Sequence, residues 1–177
     1  MQEATATAPA ADQQYIPIAP VPPLPGEIWP EQGGIYAGIM RGDKGVHYHL
    51  IIASGPNSDL SELTWGPYKT VPGCDSKWDG AANTAALRAS DEEHPILLQT
   101  LAAPDDGVHD DWYLPAQREL ALCWAVIPDM FEPDWYWSST QCSSDGAWCQ
   151  YFEHGSQHFI SKVSKGRCRA VRRLIIQ

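Results

Sequence analysis

The stretch from Trp135 to Arg173, WYWSSTQCSSDGAWCQYFEHGSQHFISKVSKGRCRAVRR, constrains the fold more than any other part of the chain. Short aromatic and β-branched runs break at Cys142-Ser-Ser-Asp-Gly146, at Glu153-His-Gly155-Ser and at Lys165-Gly166. Such a pattern reads as an antiparallel meander. In the second run Trp148, Gln150 and Phe152 share one side of a strand, and Cys149, Tyr151 and Glu153 share the other. The first set is expected to face the core and the second to be displayed.

Upstream, Ile35–Met40 and Val46–Ile52 flank the Gly- and Asp-containing Arg41–Gly45, which predicts a hairpin. Ser54–Trp78 reads as a long irregular region. Asp79–Ala89 is Ala-rich and helical in character, and His94–Leu101 is a second apolar piece. Trp112–Ile127 is the strongest helix. Pro115 sits near its first turn, Glu119 is early as the dipole prefers, and Leu120, Cys123, Trp124 and Ile127 form one apolar stripe. Hairpin, helix, helix and strand set together make an α+β layout. The expected buried framework is Trp112, Leu114, Leu120, Trp124, Trp137, Trp148 and Phe152.

Residues 1–31 differ in character. Tyr15–Pro30 carries six of the fifteen prolines, interleaved with Ile16, Ile18, Val21, Leu24, Ile28 and Trp29. Proline excludes this segment from a sheet interior and favours extended polyproline II geometry. It is expected to be an arm that either docks on a neighbouring molecule or straps its own domain, with the folded domain spanning 32–177.

At 177 residues the chain fits one domain, and its net charge of −10 argues against nucleic acid as a partner. Six of the twelve Lys and Arg residues fall between Lys162 and Arg173. The arginines among them are expected to hold carboxylates, given their forked donor geometry. The five Cys show no metal-finger spacing and read mostly as small core residues. Asp105, Asp106, Asp110 and Asp111 could cage Ca²⁺, but their spacing is not that of an EF-hand and a solvated acidic turn is expected. No residue set points to a metal or cofactor. No apolar run approaches the roughly 18 residues of a membrane span. The first residues lack a basic-then-apolar leader pattern, which is the expectation for a chain made in a cytoplasm.

Three segments carry a family resemblance. Asp110-Asp-Trp-Tyr-Leu-Pro-Ala-Gln-Arg-Glu-Leu120 resembles the W-[RY]-L-P-[ST]-x-x-E-L signature of DUF1566, or Lcl C-terminal-like, domains. Tyr136-Trp-Ser-Ser-Thr140 is similar to their YWSST element. Ala147-Trp148, Phe152, Gly155, Lys162 and Arg169-Ala-Val-Arg172 resemble their closing pattern in order and spacing. Cys168 is a mild departure, and the Pro-rich arm lies outside the pattern. The resemblance spans about Gly33 to Leu174 and is closest to forms from tailed phages. It implies a C-type-lectin-like fold of the formylglycine-generating-enzyme type, a twisted antiparallel sheet with two helices, working in binding rather than catalysis. The lectin calcium motifs Glu-Pro-Asn, Gln-Pro-Asp and Trp-Asn-Asp are absent.

By this resemblance the chain is expected to be a phage tail protein of the virion that recognises a host cell-surface receptor, protein or glycan. It would join other tail proteins through its arm and form a homo-oligomer, a trimer by preference. A bacterial adhesin or glycan-binding protein is the alternative. An oxidase using Cys149 and Cys168 is a further one, disfavoured because no base-and-acid constellation surrounds either thiol. The expected receptor face comprises Cys142, Ser143, Asp145, Cys149, Tyr151, Glu153, His154, Ser156, His158, Phe159, Ile160, Ser161, Val163 and Ser164. Its mixture of aromatic and small polar groups is that of a paratope. Some similar phage proteins are diversified by a retroelement that rewrites adenines, turning AAY codons into Tyr, Ser, His, Asp, Cys, Phe, Ile or Val. Most of these positions fit that set, and Glu153 does not.

Overall fold

The computed structural model describes residues 20–102, 104 and 107–176, which form a mixed α+β fold of mostly antiparallel strands and three helices. The strands divide between two sheets. The first has the order β1-β2-β3-β9, from Ile28–Trp29, Gly34–Arg41, His47–Ala53 and Val171–Ile175. The second has the order β4-β8-β5-β6-β7, from Asp59–Thr64, Lys165–Arg169, Trp135–Gln141, Gly146–Tyr151 and Gln157–Ser161. The helices α1 (Gly80–Arg88), α2 (Pro95–Ala102) and α3 (Gln117–Val126) come between β4 and β5 in the sequence.

Two sheets replace the single one expected, and three helices replace two. The closing strands are only partly a meander. β5, β6 and β7 pair in sequence, but β8 crosses back to lie parallel to β5, with Tyr136 opposite Arg167. β9 then leaves for the other sheet, where it pairs with β3. The region expected to be irregular contains β4, which covers the outer edge of β8. Its polar Asp59-Leu-Ser-Glu sequence and a bulge with Glu62 at φ 60° hid it from pattern reading.

Helix α3 starts at Gln117, five residues later than the helical pattern suggested. Trp112–Pro115 is extended instead, with Tyr113 bridging Val171 of β9 through reciprocal backbone bonds of 2.8 and 2.9 Å. Glu119, in the first turn of α3, reaches back to accept from Ala116 N–H at 2.7 Å. Ala116 has no oxygen to return the cap. Thr140 Oγ1, from β5, accepts from Gln117 N–H at 3.0 Å instead.

The same neighbourhood fastens the other elements. Ser139 N–H donates to Pro115 C=O at 2.8 Å, and Leu114 N–H donates to Thr84 Oγ1 of α1 at 2.9 Å. Asn83 Nδ2, also from α1, donates to Ser76 C=O and to Ser139 Oγ. The Trp-Tyr-Leu-Pro segment, the Trp-Ser-Ser-Thr strand and α1 thus interlock through buried polar groups that satisfy one another.

The core has three parts. One lies between the first sheet, α3 and β5, and includes Tyr48, Leu50, Leu120, Tyr136 and Phe152. The second packs α1 and α2 on the other side of the five-stranded sheet, around Trp65, Leu114, Trp137 and Cys149. The third gathers Trp29, Tyr36, Ile51 and Trp112 on the far face of the first sheet. Trp29 is 2% exposed and β1 pairs with β2, so the ordered domain takes in residues before the expected boundary at Gln32. Pro20–Pro30 straps its own domain at this end, while Val21, Leu24 and Ile28 stay exposed. Residues 1–19 lie outside the described residues.

The closing arginines act as structural fasteners. Arg172 makes a two-pronged pair with Asp111, at 2.8 and 3.1 Å, and also reaches Gln32. Arg167 pairs with Asp59 and Arg173 with Asp79. Arg169 departs from the expectation by using backbone carbonyls, Ala53 at 2.7 Å and Met130 at 2.5 Å.

Candidate binding face

β7 is the outer strand of the five-stranded sheet, so one of its edges is open. Its side chains alternate between two aromatic groups. On one side Phe159, 64% exposed, sits opposite Trp148 of β6 and meets its ring edge-on at 5.9 Å. Lys77 Nζ lies 5.5 Å from the centre of the same indole. On the other side His158 meets Trp135 edge-on at 5.7 Å, and Trp135 stacks on Tyr151 at 4.5 Å. Tyr151 in turn contacts His154 at 4.5 Å and donates to the Glu153 carboxylate, which pushes the phenol pKa up.

The adjoining loops are held by specific bonds. Ser143 Oγ donates to Asp145 Oδ1 at 2.7 Å and accepts from Gly146 N–H at 3.0 Å, and the first of these bonds holds the Asp145 carboxyl below its usual range. Asp145 C=O accepts from Lys162 N–H at 2.9 Å. The Lys162 side chain runs inward and is fully buried. Its ammonium donates to Lys69 C=O at 2.6 Å and Gln141 Oε1 at 3.0 Å, and sits 4.4 Å from the Trp65 ring centre. Desolvation lowers its pKa, since no carboxylate repays the buried charge directly. Lys162 therefore nails the turn between β7 and β8 to the Lys69 loop. Tyr68 and Ser161 add a hydroxyl–hydroxyl bond of 2.7 Å nearby.

Of the expected face, Cys142, Ser143, Asp145, Glu153, His154, His158, Phe159 and Val163 are exposed. Tyr151, Ser156, Ile160, Ser161 and Ser164 are half-buried. Cys149 is a correction: it is 1% exposed and faces the second core part with Ala147 and Trp137. Trp148 is the complementary correction, half-buried and on the open side with Phe159 rather than in the core. Trp124 is also only half-buried. The reason is that β6 is packed on both faces. Phe152, used to fix the inward side, lies beyond the strand end in a turn, where alternation by two no longer holds. Trp135, Lys77 and Tyr68 belong to the face and were missed; only Trp135 lies in a segment whose pattern could have revealed it.

The thiols offer little nucleophilic chemistry. Burial pushes Cys74, Cys149 and Cys168 up to about 12, and Cys123 higher still. Cys142 is the exposed one. Among the described residues no three His, Cys, Asp or Glu side chains are grouped to hold a metal. Asp111 is engaged by Arg172, whereas Asp105 and Asp106 lie outside the described residues. Likewise, no described helix is long and apolar enough to cross a membrane.

A separate cleft of about 270 Å³ opens between the β2–β3 loop and the start of α1, lined by Tyr48, Trp78, Asp79 and Arg173 among others. Arg118 covers one side of Trp78 at 5.4 Å. Within the cleft Arg173 pairs with Asp79 at 3.0 Å, a fastening between the start of α1 and β9. No protein-family model matches the chain, and no curated protein matches it.

Proposed function

We propose that this chain is a binding module of a phage tail, and that it recognises a host cell-surface receptor with the β6–β7 edge and its flanking loops. The observation that carries this reading is the exposed side-chain set of that edge. Phe159, His158, His154 and the Ser143–Asp145 loop stand on a framework fixed by specific hydrogen bonds, and rigid aromatics among adaptable polar groups are suited to recognition. The phage assignment, location in the virion tail and a trimeric assembly rest on the resemblance to DUF1566 domains of C-type-lectin-like fold, whereas attachment through residues 1–19 rests on the composition of the arm, which lies outside that pattern and carries Ile16, Pro17 and Ile18 ahead of the strap. Diversification of the face by a retroelement also rests on the resemblance, and it requires a reverse-transcriptase gene and a near-copy of this segment beside the coding sequence.

The test is competition for adsorption. Purified protein should block adsorption of the parent phage to its host, and Phe159→Ala should lose that block while keeping its melting temperature. Removing a side chain that is 64% exposed sacrifices little packing. Undiminished blocking by Phe159→Ala and by His158→Ala would move the receptor site elsewhere.

A further inference from the structure

Beside the turn that carries Val163, two adjoining cavities form one trough. The first, of about 450 Å³, is bounded by Gly66, Pro67, Pro95 and Val163. The second, of about 400 Å³, lies between the end of α1 and the start of α2, with Leu97 and Leu98 along its wall. Both include Glu92 and Glu93. Leu98 is 56% exposed and Val163 50%, so the trough has apolar walls under an acidic rim.

The rim charges are not equivalent. Glu92 is held by Lys69, which lowers its carboxyl pKa. Asp91 and Glu93 make no ion pair among the described residues; Lys69, bound to Glu92, lies within electrostatic reach of Asp91, and Arg88 stands at the far end. The trough therefore keeps a net negative charge, in a molecule whose overall −10 already attracts cations.

His94, 2% exposed, lines the inner wall. Its Nδ1 lies 3.4 Å from Trp65 C=O, and because a carbonyl only accepts, the ring proton sits on Nδ1. Nε2 is left as an acceptor without a partner among the described residues. An unsatisfied acceptor, free carboxylates and an apolar wall together suit a donor-rich cation on a hydrocarbon stem.

We propose that this trough binds a basic segment of a protein partner, an arginine or lysine whose charged head meets Asp91 and Glu93 while its stem lies along Leu97 and Leu98. This rests on the reading that the neighbouring face meets a receptor, and it narrows that receptor to a protein presenting basic residues. Tyr68, bonded to Ser161 of β7, and Val163 make the trough continuous with that face.

The probe is the fluorescein-labelled peptide acetyl-Leu-Arg-Leu-Arg-amide, titrated by anisotropy against the full chain at physiological salt. There, charges beyond a Debye length of about 8 Å are screened. Saturable binding is expected, weakened by about tenfold or more in Asp91→Asn/Glu93→Gln and reduced in Leu98→Ala. The control pair Asp129→Asn/Glu132→Gln removes the same charge from exposed positions outside the trough and should change binding less than about twofold. No saturable binding, or equal losses in the two pairs, overturns the proposal, the latter because the attraction would then be only overall charge. Matching melting temperatures of the variants exclude a folding effect. Failure of the receptor reading appears separately, as unchanged adsorption blocking by Phe159→Ala, a residue outside the trough.

Discussion

At Glu119 a carboxylate is fully buried with three donors around it: Tyr48 OH, Tyr113 OH and Ala116 N–H, each at 2.7 Å. Desolvation still outweighs these bonds and the nearby Arg173, so the carboxyl lies above its ordinary value of 4.5. An acid raised in the fold stabilises it in the protonated form. That contribution is complete below the unfolded pKa and is lost as pH rises through the folded one. Glu119→Gln does not titrate, and it leaves Ala116 N–H facing a donor, a loss of about 1–3 kcal/mol. Urea melts should therefore show a deficit for Glu119→Gln that shrinks as pH climbs above 4.5. A deficit that grows instead would mean the hydrogen bonds exceed desolvation. Gly155 sets a second residue-level constraint. Its φ is +80°, and a Cβ there would lie 2.3 Å from the Trp124 ring. Gly155→Ala should cost more than about 1 kcal/mol in a denaturant melt, because the conformation and the space both exclude it.

At the scale of elements, hydrophobic pattern located the first hairpin and both strong helices, and placed β5 and β6 correctly. It failed where tertiary pairing decides the outcome. Trp112–Pro115 reads as a helix start but is held extended by Val171, a partner nearly sixty positions away that no local pattern records. The parallel placement of β8 against β5 has the same character. In β6 both faces are apolar, so alternation showed that sides differ without showing which one was open. Two measurements check the corrected faces. Trp137 is 1% exposed, donates from Nε1 to Leu63 C=O at 3.0 Å and abuts Gly166. Trp137→Ala should cost about 3–5 kcal/mol, and half-buried Trp148→Ala clearly less. Equal losses would restore Trp148 to the core. Thiol labelling of the native protein should modify Cys142 alone among the five cysteines, with all five reacting in denaturant. Labelling of native Cys149 would contradict its inward orientation.

At the scale of the whole molecule, the interlocked centre holds the fold without using the exposed side chains of β7. Its fixed groups, such as Thr140, Asn83 and Lys162, bond to partners on other elements and are independent of what β7 displays. The Trp-Tyr-Leu-Pro and Trp-Ser-Ser-Thr segments stood out in the sequence, and both supply these buried bonds. The proposed receptor face was legible only as a composition, since exposed positions are not constrained by packing. The Pro-rich segment divides at a point that composition alone could not reveal: Trp29 is core, and the residues beyond the described ones include Pro17. Deleting residues 1–19 should leave the melting temperature unchanged and abolish assembly with the tail or with further copies. Deleting 1–30 should also lower stability, by about 3–5 kcal/mol for loss of the buried indole. Native stoichiometry after the shorter deletion would remove the attachment role.

Hydrogen exchange on the protein bound to host envelope fragments tests the central claim most directly. New protection is expected in β6, β7 and the 142–145 and 153–156 loops alone, with α3 and the first sheet unchanged. Protection centred on the β2–β3 hairpin or on α3, with β7 exchanging as in the free protein, would contradict it.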